Sequence, residues 1–307
     1  MKRPIELPRK SMASSVLFPP LIEANRTLIE DALERYCQFD SECPDHLAEA
    51  IRYCLLAPGK RIRPLLTLAA SEVCDGVQAN AIPAACAVEM IHNYSLIHDD
   101  LPAMDDDELR RGRPTCHIKF DEATAILAGD ALIPMAFETI AKDVQPAEVA
   151  LECCQLLARA SGPSKLVGGQ ADDLGCEFGE RDRVMLEKIH SRKTGALLTV
   201  SLELGAVTAQ ATEIQRQALV QYGKHLGLAF QIVDDLLDFR GSQTKMGKRT
   251  GKDADRGKLT YPSVLGEAES EAYVHEITDK AIASIAPFGE AAKPLELLAR
   301  FVVSRTQ

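Results

Sequence analysis

After Pro19 and Pro20, apolar residues return every three or four positions, and they go on doing so nearly to the end of the chain. Leu21, Ile22, Leu28, Ile29, Leu33 and Tyr36 trace one face of a first amphipathic helix, and Leu219, Tyr222, Leu226, Phe230, Val233 and Leu237 trace a later one. Short alternating runs of β-branched and aromatic residues between Gly-rich turns are hard to find. The pattern predicts an all-α chain. At 307 residues it can bury a sizeable core. With no internal repeat, low-complexity linker or composition break, residues 19–307 are expected to form one helical domain. The start, M-K-R-P-I-E-L-P-R-K, lacks the apolar centre of a signal peptide, so residues 1–18 are expected to be a mobile tail.

The formal net charge of -10 argues against a general nucleic-acid binder. Basic residues nevertheless gather in islands, at Lys60 to Arg63, Arg110 to Arg113 and Lys245 to Lys258, which suggests specific anion sites on an acidic protein. Nine cysteines include no C-x-x-C pair and offer no zinc or disulfide framework, as expected of free thiols in a reducing cytoplasm. No apolar run is read as approaching the ~18 to 20 residues that span a bilayer.

The stretch H-N-Y-S-L-I-H-D-D-L-P-A-M-D-D-D-E-L-R-R-G-R-P, from His92 to Pro114, sets five aspartates within nine positions. Two unit charges ~4 Å apart cost roughly 4 kcal/mol at an effective dielectric near 20, so carboxylates this dense call for a cation among them. Oxygen-only ligands favour a hard ion such as Mg²⁺, which completes its shell with waters and substrate phosphates. Arg110, Arg111 and Arg113 follow directly and suit a phosphate grip. Taken alone, such a run is as readily a solvated acidic turn. Asp99 and Asp105 stand about 240° apart on an ideal helix, and Pro102 is expected to break the helix and let Asp105 fold back toward Asp99. His92, Ser95 and Asp99 share one face.

A second acidic group, F-Q-I-V-D-D-L-L-D-F, puts Gln231, Asp234, Asp235 and Asp238 on one helical face amid strongly apolar sequence. Ahead of both, A-P-G-K-R-I-R-P punctuates two helices and supplies Lys60, Arg61 and Arg63 at a helix start, a place that attracts a diphosphate and is otherwise only a basic turn. In L-V-G-G-Q-A-D-D-L, Gly168 and Gly169 allow close backbone approach beside Gln170 and Asp173. In H-S-R-K-T-G, Gly195 is expected to open the helix locally and aim Lys193 inward. M-G-K-R-T-G-K-D-A-D-R-G-K reads as a Gly-rich loop carrying Lys248 and Lys258, either a lid over phosphate or a surface loop.

Taken together, G-K-R-x-R-P, D-D-L-P-A-M-D, R-R-G-R-P-T, G-G-Q-x-x-D, K-T-G, D-D-L-L-D and the two glycine-lysine pairs resemble the trans-prenyltransferases, the short-chain isoprenyl diphosphate synthases, from about residue 20 to the C-terminus. That resemblance implies a large all-α bundle, the isoprenoid synthase fold, around a deep central cavity, usually as a homodimer. It implies a cluster of three Mg²⁺ ions on Asp99, Asp105 and Asp234, supported by Asp100, Asp235 and Asp238. It places an allylic diphosphate against Arg110, Lys193, Thr194, Gln231, Lys248 and Lys258, with Arg110, Lys193, Thr194 and Gln231 as the catalytic set. Isopentenyl diphosphate falls to Lys60, Arg63, His92 and Arg111. The implied reaction is ionisation, condensation and elimination. Tyr94 and Ser95, five and four residues before Asp99, would set chain length, and an aromatic ring at Tyr94 with the inserted Pro102 and Ala103 resembles the bacterial, farnesyl-forming members.

Rival readings are a geranylgeranyl-forming member, a terpene cyclase, an HD-type metallophosphohydrolase built on His98, Asp99 and His92, and a non-catalytic helical partner. A cyclase would show N-D-x-x-S-x-x-x-E in place of the second acidic group. An HD-type site would leave that group without a role.

Overall fold

Asp121 caps a 22-residue apolar helix, its carboxylate accepting from the Thr124 backbone N–H at 2.7 Å and from the Thr124 hydroxyl at 2.8 Å. This satisfies amide donors that a helix start leaves unpaired. Helices of this kind build the whole of the described protein. The structure is a computed structural model describing residues 20–175, 183–245 and 260–304; the expected tail over 1–18 and the loop residues Lys248 and Lys258 lie outside them.

In order, the helices are α1 (Pro20–Tyr36), α2 (Asp45–Leu55), α3 (Ile62–Val73), α4 (Gln78–Asp99), α5 (Cys116–Lys119), α6 (Glu122–Asp143), α7 (Ala147–Ser161), α8 (Leu166–Gly175) and α9 (Arg183–His190). A π-turn, Ser191–Gly195, leads straight into α10 (Ala196–Thr208). Then come α11 (Glu213–Lys245), α12 (Tyr261–Leu265), α13 (Glu267–Ser284), a 3₁₀ segment (Ala286–Ala292) and α14 (Lys293–Ser304). The all-α expectation holds, with one small addition. Leu109–Arg110 (β1) and Arg113–Pro114 (β2) pair antiparallel around Arg111 and Gly112, whose φ values of 54° and 75° are those of a tight hairpin turn.

Small residues decide where the helices meet. α4 packs on α6 and α3 on α10, with Ala84, Ala85 and Ala87 buried on one side of the first pair and Ala125 and Ala128 on the other. At Gly205 of α10 a Cβ would lie 2.2 Å from the Thr67 carbonyl oxygen of α3, so only glycine permits that approach. Buried apolar side chains run as one cluster from Ile22 to Val303.

Two expectations need correction. The first concerns membrane crossing: α6 is long and apolar enough for it by length and composition, with a mean hydropathy of 1.4. Its inner face, Leu132, Ala136 and Ile140, is packed into the core, while Ile126 and Leu127 remain exposed. The second concerns Arg61, which does not join Lys60 and Arg63 as an anion grip. It is buried, held at φ 51°, and its donors go to Glu30, Glu89 and the carbonyls of Leu55 and Ala57. A buried guanidinium with this many acceptors is a fastener for the chain entering α3.

Candidate active site

α4 ends at Asp99, three residues before Pro102, because the residue preceding a proline is driven out of the helical region. The chain then turns back on itself: the Asp105 N–H donates to the Asp99 carbonyl at 2.9 Å and the Asp107 N–H to the Asp100 carbonyl at 3.2 Å. Asp105 is thereby returned to the end of the helix that carries Asp99. The proximity is felt. Burial pushes the Asp99 carboxyl up to about 6, with Asp105 raising it further and Lys193 opposing.

The two neighbouring aspartates have different employment. Asp100 is buried and grips Arg110, whose Nε donates to both carboxylate oxygens at 2.8 and 3.0 Å and whose Nη2 lies 2.6 Å from Oδ1. Its oxygens are engaged by the guanidinium, and Asp100 thereby fixes the hairpin arginine beside Asp99.

Asp235 on α11 is likewise engaged within the protein, where it is buried. It accepts from the Tyr261 backbone N–H at 2.9 Å and from Gln231 Nε2 at 3.2 Å, with His190 Nε2 at 3.7 Å. Burial pushes its carboxyl up to about 7 in spite of these donors, and Asp234 and Asp238 add to the rise. His190 stacks on Tyr261 with ring centroids 5.8 Å apart. Neither was singled out from sequence; the only signal is that His190 opens the H-S-R-K-T-G string. Asp234 stays half-buried and Asp238 exposed, so these two keep the second group's accessible oxygens.

The π-turn joins the two acidic groups. The opening expected at Gly195 is a full π-turn, a form that often marks functional sites. It is clamped by glycines: a Cβ at Gly169 of α8 would meet the Lys193 backbone N at 2.4 Å, and one at Gly227 of α11 would meet Gly195 Cα at 2.9 Å. From this seat Lys193 Nζ donates to Asp173 Oδ2 at 2.8 Å while acting on Asp99. The next side chain, Thr194, donates to Gln231 Oε1 at 3.0 Å, and Gln231 in turn donates to Asp235. Arg192 pairs with Asp172 at 2.6 Å. Both Gln170 amide atoms are buried without a partner.

A cationic group lies next to this one. Arg111 Nη1 donates to the Pro58 carbonyl at 3.1 Å, and a Cβ on Gly59 would sit 2.5 Å from the same atom. Burial, then Arg63, Arg111 and Arg110, hold His92 well below its ordinary range, so it is neutral among three guanidiniums. Burial also lowers Arg63 to about 10, with Arg111 lowering it further, Glu89 and Asp234 opposing, and its Nε unpartnered. Lys60 Nζ lies 6.0 Å from the Phe301 ring centroid. Like charges crowded this way, with an orphaned donor, fit an anion. The Ser95 hydroxyl, by contrast, is spent on the His92 carbonyl at 2.9 Å. His98 Nε2 contacts the Ile126 carbonyl oxygen at 3.0 Å.

Among the described residues, no group of three His, Cys, Asp or Glu converges as a ready metal cage. This arrangement fits Mg²⁺, which takes one or two carboxylates and fills its remaining positions with water and phosphate oxygens. The accessible donors are all hard oxygens, on Asp99, Asp105, Asp234 and Asp238, and they flank a cation set suited to the phosphates.

Comparison with known proteins agrees with this chemistry. The polyprenyl synthetase family model matches residues 44–291. The chain is 44% identical over 264 residues to a farnesyl diphosphate synthase of Haemophilus influenzae, covering 84% of this chain and 88% of that protein. It is 44% identical over 284 residues to a geranylgeranyl diphosphate synthase of Cyanophora paradoxa, covering 91% and 94%. The apo crystal structure of a FPP/GFPP synthase from Zymomonas mobilis superposes with a TM-score of 0.83 at 38% identity, covering 92% and 97%. A helical scaffold that faces two aspartate groups toward paired cation sets, matched across nearly its whole length by enzymes of prenyl chain elongation, leaves one assignment: the chain belongs to the polyprenyl synthetase family and is a prenyltransferase.

Proposed function

We propose that the protein is a Mg²⁺-dependent farnesyl diphosphate synthase, joining isopentenyl diphosphate head to tail to dimethylallyl and then geranyl diphosphate. Asp99, Asp105 and Asp234 would hold the metal, up to three ions once diphosphate is bound, with Asp238 at the rim. Bound Mg²⁺ supplies fixed positive charge for a leaving diphosphate. Arg110, Lys193, Thr194 and Gln231 bind and orient the allylic diphosphate, and their preset positions favour the charge that develops as the C1–O bond breaks. Lys60, Arg63, His92 and Arg111 seat isopentenyl diphosphate, whose double bond attacks the allylic cation before a proton passes to the released diphosphate. Water quenches such a cation, so the reaction requires that it be kept from C1.

The observation that carries the C15 reading is Tyr94. It is buried about one and a half turns before Asp99, and its ring meets His98 edge-on with centroids 5.7 Å apart. In the family this resembles a floor set for a farnesyl chain. The exposed Ile126 and Leu127 of α6 support assembly as a homodimer, and the free thiols Cys37, Cys54 and Cys116 suit a cytoplasmic location. The test is incubation of purified protein with Mg²⁺, isopentenyl diphosphate and each allylic primer, with products separated by chain length. A main C15 product is expected, a main C20 product overturns the farnesyl reading, and no incorporation with any primer overturns the substrate assignment.

A further inference from the structure

Beneath the β1–β2 hairpin is a cavity of about 110 Å³, whose wall includes Cys54 of α2, Cys116 of α5, Asp100, Arg110 and Arg111. The two sulfurs come from segments that are otherwise firmly clasped. Tyr53 donates its hydroxyl to the Pro114 carbonyl at 2.7 Å, packs edge-on to Phe120 at 5.6 Å, and lies under the Arg113 guanidinium at 4.4 Å. These three contacts bracket Cys116 and hold the neighbouring Cys54 on the same cavity wall, where each thiol shifts the other, Cys54 upward and Cys116 downward. Cys116 is buried and Cys54 half-buried. No catalytic step uses either one.

We propose that Cys54 and Cys116 are a reversible disulfide pair that reports oxidation to the substrate site through the hairpin. The oxidant is a hydroperoxide, small enough to enter the cavity. Cys116, giving up its proton, attacks one peroxide oxygen; the O–O bond breaks, leaving a sulfenic acid on Cys116 and one water. The Cys54 sulfur then displaces the sulfenic hydroxyl, which leaves with the Cys54 proton as a second water. Two thiols lose two electrons and one hydrogen peroxide becomes two waters.

Forming an S–S bond of ~2.05 Å between the two segments pulls Cys116 toward α2. Cys116 lies two residues beyond β2, so the pull is delivered to the strand pair that carries Arg110 and Arg111. A displacement of about 1 Å at a positioning group costs up to ~10²-fold in rate. The effect on activity rests on the assignment of those arginines to the two diphosphates; formation of the disulfide does not.

Full-length enzyme is treated with hydrogen peroxide, digested without reduction and mapped by mass spectrometry, with activity followed before and after dithiothreitol. The expected result is a Cys54–Cys116 linked peptide two hydrogens lighter than the reduced pair. Isopentenyl diphosphate kcat/KM falls at least tenfold and recovers on reduction, and Cys54→Ser and Cys116→Ser each abolish the loss. Absence of the linked peptide in wild-type enzyme, or an equal loss in both serine variants, overturns the proposal. A linked peptide with unchanged activity overturns the coupling to the arginines alone, leaving the prenyl-transfer reading to its own product assay.

Discussion

Lys193 and Asp173 are joined at 2.8 Å between the π-turn and α8, and the same ammonium acts on Asp99. The cation is thus held at the edge of the acidic group by a carboxylate that belongs to neither acidic motif. Replacing Lys193 with Ala removes a charge aimed at the leaving diphosphate and is expected to lower kcat/KM for geranyl diphosphate by about 10²- to 10³-fold. Asp173→Asn leaves the ammonium present but less well aimed, with an expected loss of about tenfold. Steady-state kinetics with varied allylic substrate checks the order; an Asp173→Asn loss larger than that of Lys193→Ala contradicts it.

Gly169 sets the seat of that turn. A methyl there would collide with the Lys193 backbone nitrogen, and backbone yields far less readily than a flexible side chain. Gly169→Ala is expected to cost about 1 to 3 kcal/mol of stability and to lower kcat by roughly 10²-fold. The KM for isopentenyl diphosphate should stay near wild type, because Arg63, His92 and Arg111 lie on other elements. Thermal unfolding and kinetics with each substrate varied in turn separate these effects.

Asp100 acts through Arg110, and that distinguishes it from Asp99. Asp100→Asn removes the negative charge and one of the two acceptor oxygens that Arg110 grips and sets an amide donor against the guanidinium, with an expected stability loss of about 1 to 3 kcal/mol. Its activity loss should appear as a raised allylic KM, while the Mg²⁺ concentration for half-maximal rate stays near wild type. Asp99→Asn should shift the Mg²⁺ requirement upward. Rate against Mg²⁺ concentration for the two variants decides whether Asp100 is a brace or a ligand.

The sequence made the helical class, the break at Pro102 and the opening at Gly195 legible because each follows from local chemistry: apolar period, a missing N–H, a missing Cβ. It also marked Lys60, and with it Arg63, His92 and Arg111, the last three of which the fold brings together from three segments. By spacing alone it did not separate Asp99 from Asp100 or Asp234 from Asp235, which only the family resemblance set apart as direct and supporting groups. Consecutive helical residues differ by about 100° in direction, and which one turns inward depends on where Arg110 and Tyr261 arrive. Arg61 was misread for the same reason, since its acceptors Glu30 and Glu89 are distant in sequence. The hairpin escaped notice because Arg111 takes a positive φ that its own residue type does not advertise.

Asp99 and Asp235 also predict a pH signature. Their folded values near 6 and 7 stand above the free value of 3.8. Between roughly pH 4 and 7 the folded protein keeps protons that the unfolded chain has released, so their contribution to stability is full below about 4 and fades as pH rises through 6 to 7. Mg²⁺ with diphosphate requires the ionised forms and should reverse the trend. Thermal unfolding from pH 5 to 7.5 should show a ligand-free Tm that declines more steeply in wild type than in Asp99→Asn. The increment from Mg²⁺ and inorganic diphosphate should grow across the same range. A wild-type slope equal to or shallower than that of the variant refutes the assignment to Asp99.

The chain-length reading admits two independent tests, because Tyr94 is held in place by a neighbour. Its ring rests edge-on against His98, and His98 lies over Gly129 of α6, where a Cβ would come 2.1 Å from His98 Nε2. Tyr94→Ala removes the ring assigned to the floor. The buried volume lost is expected to cost about 3 to 5 kcal/mol, and the space gained should let the chain grow by a further C5 unit, moving the main product from C15 toward C20. Gly129→Ala leaves Tyr94 intact but displaces His98, so it should broaden the product distribution without a complete shift. Product chromatography with geranyl diphosphate as primer reads both. If Tyr94→Ala still releases only C15 while Gly129→Ala shifts the product, the floor lies on α6; if neither changes chain length, the pocket ends elsewhere in the bundle.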